Sequence, residues 1–299
     1  MEQELRALME RDKDNGHLVI IGGHEDRTQD KTVLKRFVDL AGGSEQKIVV
    51  ISAASSVADE MWKIYDAAFA DLGVTRRVHL EVHTREDANA DNVLRELSDA
   101  DGIFMTGGDQ KRLLANIGGT ALDRALHQAY QQRGACIGGT SAGASAMSGH
   151  MLATGHAGLQ PEKGAVNMGA GLGLVQGVVI DQHFSERHRL ARLLTVVAQN
   201  PYLQGIGIDE DTALVISRGR GIEVVGQGAV TIVDGRSMHS NMADVPGGGC
   251  PQLVDVRLHL LPGGSAYDLP AAGAEHAIPA ALLDFLHLVT KRIDYHENH

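Results

Sequence analysis

The stretch that decides the fold is ACIGGTSAGAS, residues 135–145. Its apolar start is typical of a buried strand, and the small residues from Ala142 onward can begin a helix. Between them, GTSAG (139–143) has the form G-x-S-x-G, which places a serine hydroxyl on a sharp turn at the end of a sheet. In a chain with 36 glycines the same letters also occur in plain turns, but a strand before and a helix after favour a nucleophile. We therefore predict a nucleophilic Ser141.

Outward from this stretch, short apolar runs alternate with helical patterns. We predict strands at 18–21, 48–51, 78–82, 102–105, 135–137 and 178–180. Helices are predicted between them at 31–40, 58–72, 91–97, 113–116, 121–132 and 187–199. Most strands are apolar throughout, whereas 78–82 alternates and is predicted at a sheet edge. This alternation indicates an α/β fold, with a parallel sheet covered by helices on both faces and ligands bound beyond the carboxyl ends of its strands.

The sequence changes character after residue 208. Apolar runs at 213–216, 222–225 and 230–233 follow one another with glycine turns between them, which predicts an antiparallel meander. Residues 278–293 have the pattern of a closing amphipathic helix. We see no repeat and no linker rich in proline or serine. The prediction is one domain over 1–299, with a core at about 17–217 and an antiparallel extension at about 218–299.

The amino-acid composition limits the classes of binding partner that we expect. The chain has 27 Lys and Arg against 38 Asp and Glu, a net charge of -11, which opposes nucleic acid or an anionic membrane. The acidity would suit a cationic substrate, although it also serves solubility. The two cysteines, Cys136 and Cys250, have no neighbours that suggest a metal or a disulfide, which agrees with a reducing compartment.

The sequence has no pattern typical of a signal peptide or of a membrane-spanning segment. Residues 1–14 are charged and have no apolar centre, so they do not resemble a signal peptide. No apolar window approaches the length of a membrane span. We expect a soluble, cytoplasmic protein that needs no metal and no cofactor.

Polar side chains follow the predicted strands where a parallel sheet would collect them. The serine requires a base and an acidic group that orients the base. His183 and Glu210 each stand at a strand end and satisfy this need in the chain order Ser, His, Glu. Asp181 is an alternative acid only two residues from His183, and Glu25 and Asp26 are further candidates that could equally cap a helix. The segments at strand ends are 22–26, 52–56, 106–110, 138–145, 181–184 and 209–211.

An acyl-transfer site also needs donors for the oxyanion. The backbone N–H of Ala142 follows the nucleophile directly and is one candidate. Gly107 or Gly108 is the other, because a loop without side chains can bring an amide close. The alternative is that these two glycines only form a turn.

Three arginines, Arg187, Arg189 and Arg192, follow His183 on the helix predicted at 187–199. On a helical wheel Arg189 lies at the edge of the apolar stripe, Arg192 lies near the opposite face, and Arg187 points close to the stripe. Either the first turn is irregular, or Arg187 is buried against carboxylates, which arginine binds with two hydrogen bonds. A solvent-facing surface with one exception at the helix end is the plainer interpretation. The apolar stripe consists of Leu190, Leu193, Leu194 and Val197.

Together these motifs resemble cyanophycinases, a family of serine peptidases related to dipeptidase E. The resemblance runs from about residue 18 to the end of the strand at 213–216, and it is specific because all five motifs occur in the same order. It implies a flavodoxin-like fold akin to class I glutamine amidotransferases, with an antiparallel C-terminal extension. The motifs are GGxED at 22–26, TGGDQ at 106–110, GGTSAGAS at 138–145, DQHFxxRxRxxR at 181–192 and GIGIDE at 205–210.

The resemblance also implies an activity. Cyanophycin, multi-L-arginyl-poly-L-aspartate, would be hydrolysed from chain ends to β-Asp-Arg dipeptides, with Ser141 as nucleophile, His183 as base and Glu210 as acid. Substrate carboxylates would meet the arginines, and a substrate guanidinium would meet Asp181. Members of the family are commonly homodimers. The positions that resemble the substrate pocket of the family are Gln110, Asp181, Gln182, Arg187, Arg189 and Arg192.

Two regions depart from the resemblance, namely His24 and the glycine-rich residues 241–275. If they line the pocket, the amino acid accepted in place of arginine could differ. An aspartyl dipeptidase of the same superfamily is one alternative function, and a flavodoxin-like binding module for a phosphate or nucleotide is another. The second lacks a G-x-x-x-x-G-K-[ST] loop, and a glutaminase would need a cysteine in place of Ser141.

Overall fold

Two sheets organise the chain in the computed structural model, which describes residues 16–271 and 273–291. The first half contains β1 (His17–Ile21), α1 (Thr32–Leu40), β2 (Lys47–Ile51), α2 (Ala58–Asp71), β3 (Arg76–Leu80), α3 (Asp91–Leu97), β4 (Gly102–Met105), α4 (Gln110–Ile117), α5 (Ala121–Gln132), β5 (Cys136–Thr140) and α6 (Ala142–Ser145). The second half contains β6 (His150–Gly155), β7 (Val166–Ala170), β8 (Val178–Gln182), α7 (Leu190–Gln199), β9 (Gln204–Ile208), β10 (Thr212–Ser217), β11 (Gly221–Gly226), β12 (Ala229–Asp234), β13 (His239–Ser240), β14 (Leu253–Val254), β15 (Arg257–Pro262), β16 (Ala266–Asp268) and α8 (Ala280–Thr290).

The larger sheet has eight strands in the order β16-β11-β10-β1-β5-β4-β2-β3. The strands from β1 to β3 in this order pair in parallel, which confirms the parallel sheet predicted from the sequence. β3 lies at the edge, as its alternating sequence predicts. β10, β11 and β16 pair antiparallel and extend the sheet beyond β1. The fold is therefore α/β with antiparallel strands in its C-terminal part.

Strand β1 shows why the parallel strands are apolar on both sides. Leu18 and Ile20 pack into one core with residues of α4 and α5. Val19 and Ile21 point the other way and pack with Phe37 of α1 and with residues of α2. Successive side chains of a strand alternate between faces, and both faces are covered here. Polar side chains of these strands therefore collect at the strand ends.

The smaller sheet has four strands in the order β15-β12-β9-β8, and it corrects two predictions. The strand predicted at 178–180 is β8, which pairs in parallel with β9 and not with the larger sheet. The strand predicted at 230–233 is β12, which pairs with β9 and β15, so the meander stops after β11. The physical reason is that β10 pairs along the whole of β1 and occupies the edge that β8 would need.

Several boundaries also differ from the prediction. The helix predicted at 187–199 begins at Leu190, and the helix predicted at 113–116 covers Gln110–Ile117 because the Asp109 side chain accepts hydrogen bonds from its first N–H groups. The hairpin of β6 and β7 and the short strands β13 to β16 were not predicted. The C-terminal helix spans Ala280–Thr290.

Two sequence predictions reach the termini. Residues 1–14 and residue 293 lie outside the described part of the chain. Between residues 16 and 291, residue 272 excepted, no helix has the length and apolar character needed to cross a membrane.

Candidate active site

Ser141 occupies the sharp turn that the sequence predicts. It lies between β5 and α6 with φ 52° and ψ -110°, and its N–H donates to the Ile21 carbonyl at 3.1 Å. Gly143 has to be glycine, because a Cβ there would lie 2.4 Å from the Met105 carbonyl oxygen. The backbone is strained at the serine itself, a feature that clusters at functional sites. The helix that follows has only four residues, so its dipole contributes little at Ser141.

His183 and Glu210 form a hydrogen-bonded chain with this serine. Ser141 Oγ lies 3.1 Å from His183 Nε2, and His183 Nδ1 lies 2.5 Å from Glu210 Oε1. His183 directly follows β8, and Glu210 comes two residues after β9, so the smaller sheet supplies both. The His183 N–H donates to the Gly22 carbonyl at 2.7 Å, which joins this loop to the end of β1 in the larger sheet.

The surroundings of His183 and Glu210 shift both side chains toward the forms that a general base needs. Burial lowers the pKa of His183, and the nearby Arg187 and His24 lower it further. Burial alone would raise the pKa of Glu210, but hydrogen bonds from His183 and His24 outweigh it and hold the pKa below its usual range. At neutral pH the imidazole is therefore neutral and the carboxylate is ionised, which is the arrangement of a serine–histidine–acid triad.

The alternative acids have other partners. Asp26 accepts N–H groups of the loop before α1, including that of Lys31 at 2.8 Å. These backbone hydrogen bonds, led by that of Lys31, lower the pKa of Asp26 far below its usual range. Glu25 is buried and accepts hydrogen bonds from Tyr65 Oη and, at 2.6 Å, from Thr140 Oγ1. Among the described residues, neither acid contacts His183.

Asp181 is also separate from His183, and its environment differs from the expectation. The sequence predicts a substrate guanidinium at Asp181, but the carboxylate is fully buried against two guanidinium groups of the chain itself. Arg192 Nε lies 2.7 Å from Oδ2, Arg192 Nη2 contacts Oδ1, and Arg189 Nη1 lies 3.3 Å from Oδ1. Desolvation lowers the pKa of Arg189 to about 10.

The observed positions of the three arginines differ from those that the helical wheel predicts. Arg187 is exposed and precedes the helix, so the first turn is irregular, as one of the two alternatives stated. Arg189 and Arg192 are each only 8% exposed, although the wheel places Arg192 near solvent. The reason is that α7 is covered on two sides. Val196 packs against the hairpin of β6 and β7, while Leu193 packs against β12.

The two glutamines have partners within the chain as well. Gln110 Nε2 donates to the Leu152 and Ala153 carbonyls of β6, each at 3.2 Å. Gln182 Oε1 accepts a hydrogen bond from Arg189 Nη1 at 3.1 Å. Within the described ranges, Arg187 has no carboxylate partner, so it is the one member of the predicted pocket set whose charge stays open to a ligand.

Two of the three residues predicted for the oxyanion, Gly107 and Ala142, border Ser141. A Cβ at Gly107 would lie 3.4 Å from Ser141 Cβ and 3.8 Å from Ser141 Oγ, so the Gly107 backbone borders the serine. Gly108 has φ 144° and its Cα faces the Ala54 carbonyl. Ala142 begins α6 directly behind the serine. In the part of the chain that the structure describes, no hydrogen-bond acceptor faces the N–H groups of Gly107, Gly108 or Ala142.

His24 is the residue at the site that the sequence left without a role. Its Nδ1 lies 2.9 Å from Glu210 Oε2, and its ring centroid lies 4.9 Å from that of His183. Nitrogen and oxygen atoms of His24, His183 and Glu210 lie within 4.8 Å of one another, a spacing at which such groups could also hold a metal ion. The sequence did contain a signal for this residue, because His24 in the GGxED motif is one of the two places where the chain departs from the family it resembles.

Comparison with known proteins identifies the family of the chain. Residues 18–224 match the sequence profile described as Peptidase family S51. The chain belongs to Peptidase family S51. A cyanophycinase from Geminocystis herdmanii is 38% identical to this S51 peptidase over 252 residues, which cover 84% of the chain and 93% of the relative. Cyanophycinases from Thermosynechococcus vestitus and a Nostoc species are 38% and 36% identical, covering 87% and 84% of the chain and 81% and 85% of each relative.

Solved structures show the same fold. A peptidase from an acI-B1 Actinobacterium superposes with a TM-score of 0.64 at 24% identity, covering 86% of this S51 peptidase and 98% of its own chain. A putative peptidase E from Listeria monocytogenes has a TM-score of 0.50 at 20% identity, covering 71% and 98%. The family membership and the curated relatives identify the chain as a serine-type peptidase.

Proposed function

We propose that this S51 peptidase is a cyanophycinase, with Ser141, His183 and Glu210 as its catalytic triad. The observation that carries the proposal is the hydrogen-bonded chain from Ser141 Oγ through His183 to Glu210, at 3.1 and 2.5 Å. The curated relatives named cyanophycinase supply the substrate. The substrate is a poly-aspartate backbone whose side-chain carboxyls carry arginine, and the product is the β-Asp-Arg dipeptide cut from chain ends.

The proposed reaction has two steps. His183 Nε2 takes the proton of Ser141 Oγ as the oxygen attacks the scissile backbone carbonyl, and Glu210 stabilises the imidazolium. The N–H of Ala142 and an N–H of Gly107 or Gly108 hold the oxyanion. His183 gives its proton to the leaving amine, and the acyl-enzyme remains. His183 then deprotonates a water, which attacks the ester carbonyl, and as the acyl–oxygen bond breaks His183 returns this proton to Ser141 Oγ and the product leaves as a carboxylic acid.

In this proposal one residue of the predicted pocket contacts the substrate, and the other residues hold the pocket in shape. Arg187 is exposed and its charge lowers the pKa of the His183 imidazole, and we assign it the contact with a substrate carboxylate. The remaining positions of the predicted pocket form its wall. Gln110 fastens β6 through the Leu152 and Ala153 carbonyls, and Arg192 fastens the end of β6 through the Gly155 carbonyl at 2.7 Å. The other members of this wall are Asp181, Gln182 and Arg189.

We also propose a homodimer formed through the edge strand β15. Leu258 and Leu260 of this strand are 49% and 61% exposed, and Leu190 beside them is 41% exposed. They border an apolar cavity of about 570 Å³. Because cyanophycin carries a carboxylate and a guanidinium on every unit, it offers little surface for such a cavity. A second copy of the chain can pair with the free edge of β15 and cover these leucines.

The remaining parts of the proposal concern the chain as a whole. It acts as one domain, because Phe285 of α8 belongs to the same apolar core as Leu18 of β1. It acts in the cytoplasm, since Cys136 and Cys250 are both free thiols, which a reducing compartment preserves.

The test is mass spectrometry of the products after incubation of the purified protein with cyanophycin. We expect β-Asp-Arg from the wild type and, for Ser141→Ala, a loss of kcat of about 10⁴-fold or more. Short α-linked aspartyl peptides are assayed in parallel. If these are cut and cyanophycin is not, the protein is an aspartyl dipeptidase. If neither is cut and a fluorophosphonate fails to label Ser141, the proposed triad is wrong.

A further inference from the structure

Glu210 has two imidazole partners, one on each carboxylate oxygen. Oε1 faces His183 Nδ1 at 2.5 Å, and Oε2 faces His24 Nδ1 at 2.9 Å. The rings of His24 and His183 meet edge to face, with centroids 4.9 Å apart and planes at 77°. His24 is 64% exposed on its outer side. One histidine is therefore the base in the proposed triad, while the other has no part in the reaction as written so far.

The backbone holds His24 in this place. The Gly22 carbonyl accepts the N–H of His183 at 2.7 Å, and the Gly23 carbonyl accepts the N–H of Asp211 at 2.9 Å. A Cβ on Gly23 would lie 2.3 Å from His183 Cε1, so only glycine lets the loop pass the imidazole. His24 itself has φ 49°, a left-handed conformation that is uncommon for a histidine. The loop after β1 is thus tied to both triad loops, and strain is accepted at the residue that meets Glu210.

A glutamate in this role needs a second contact. Its side chain has more rotatable bonds than an aspartate, and ordering it costs more conformational entropy. Glu210 lies in a turn after β9 and keeps 24% of its side chain exposed. With His183 as its sole partner, the side chain could rotate away from the ring and leave the imidazole in the wrong tautomer. A donor on Oε2 removes this freedom.

We propose that His24 is a positioning residue for the proposed triad, which donates its Nδ1–H to Glu210 Oε2 and so fixes Oε1 against His183 Nδ1. The proposal rests on the proposed function of Ser141, His183 and Glu210. Held in this way, His183 keeps its proton on Nδ1 and leaves Nε2 free to accept the proton of Ser141. His24 touches neither the substrate bond nor the serine in this scheme.

The position of His24 also couples the reaction to pH. The His24 charge, beside the His183 ring, opposes a proton on that imidazole and contributes to its lowered pKa. Loss of the His24 charge therefore raises the pKa of His183 and moves the acidic limb of the kcat/KM profile to higher pH. Besides His24, the charged groups that act on the His183 imidazole are Glu210 and Arg187, and the Glu186 carboxylate accepts the N–H of Glu210 at 3.2 Å.

Two variants at position 24 distinguish the effect of the hydrogen bond from the effects of the charge and of the backbone conformation. His24→Gly suits the left-handed conformation and removes the donor. His24→Asn also tolerates this conformation, and its amide nitrogen can take the place of Nδ1. We expect His24→Gly to lower kcat about tenfold with little change in KM, and His24→Asn to restore most of it. Both variants should move the acidic limb of kcat/KM to higher pH.

The control is His83→Gly. His83 Nε2 lies 2.6 Å from Glu81 Oε1 in an exposed pair after the edge strand β3, so its loss should change neither kcat nor the pH profile. Equal kcat for His24→Gly and wild type, or no rescue by His24→Asn, would overturn the inference. The rate of fluorophosphonate labelling of Ser141 separates the two proposals. No labelling of the wild type rejects the triad, whereas equal labelling of wild type and His24→Gly rejects only the role of His24.

Discussion

Arg192 binds Asp181 through two nitrogens in the interior of the molecule, with Nε 2.7 Å from Oδ2 and Nη2 on Oδ1. The carboxylate has no exposed surface, and the arginine is only 8% exposed. Arg189 Nη1 approaches the same carboxylate at 3.3 Å, so the single Asp181 carboxylate is the counter-ion of both guanidinium groups. Asp181 is the second-last residue of β8 and lies two residues before His183, and this ion cluster therefore anchors the strand that leads to His183.

Asp181→Asn should destabilise the fold strongly, because it leaves two buried guanidinium groups without their counter-charge. We expect the free energy of unfolding to fall by about 3–5 kcal/mol, measured by denaturant titration. The matched control is Asp66→Asn, which breaks an ion pair with Arg77 that is partly exposed and should cost about 1 kcal/mol or less. Equal losses in the free energy of unfolding for the two variants would show that the buried cluster stabilises the fold no more than a partly exposed ion pair does.

The acidic limb of activity should lie below pH 6.5. Burial, Arg187 and His24 together lower the pKa of His183 from its ordinary value of 6.5. A general base must be unprotonated, so a lowered pKa keeps the enzyme active as the pH falls toward that value and below it. The measurement is kcat/KM against pH on the free enzyme. A midpoint above 6.5 would contradict the desolvated, neutral imidazole.

Arg187→Gln should weaken substrate binding more than turnover. If Arg187 meets a substrate carboxylate, we expect KM for a soluble three-unit cyanophycin fragment to rise about tenfold, with a smaller change in kcat. Because Arg187 also lowers the pKa of His183, the acidic limb should move to higher pH. Steady-state kinetics check both effects. Arg95→Gln on the exposed side of α3 is the control, and identical kinetics for the two variants would exclude the contact.

Charge on the edge strand should disrupt the proposed homodimer. Leu258→Glu with Leu260→Glu places two carboxylates on the apolar surface of β15, and we expect light scattering after gel filtration to show a monomer where the wild type is a dimer. Ile64→Glu on α2, which replaces a leucine-sized side chain that is 42% exposed elsewhere, should leave the dimer intact. A monomeric wild type would reject the proposed interface directly.

Local chemistry let the sequence predict much of this molecule. Apolar runs such as β1 and β5 must be buried on both faces, so the parallel sheet and its helices follow from their alternation. The turn at Ser141 follows from small residues between a strand and a helix. The strand ends at His183 and Glu210 follow from the same alternation. These features depend on a few neighbouring residues, which is why the sequence alone specified them.

Other features depend on groups that are distant in the chain. The residues by themselves left Asp181, Glu25 and Asp26 open as alternatives to Glu210 for the acid, since the choice depends on which loop meets His183 after both sheets have formed. The place of β8 in a second sheet depends on β10 occupying the free edge of β1. Arg192 is buried because the hairpin of β6 and β7 covers a face of α7 that a helical wheel leaves open to solvent. Hydrogen-bonding edges and buried charges are paired only by the tertiary structure, because each needs a partner that the local sequence does not contain.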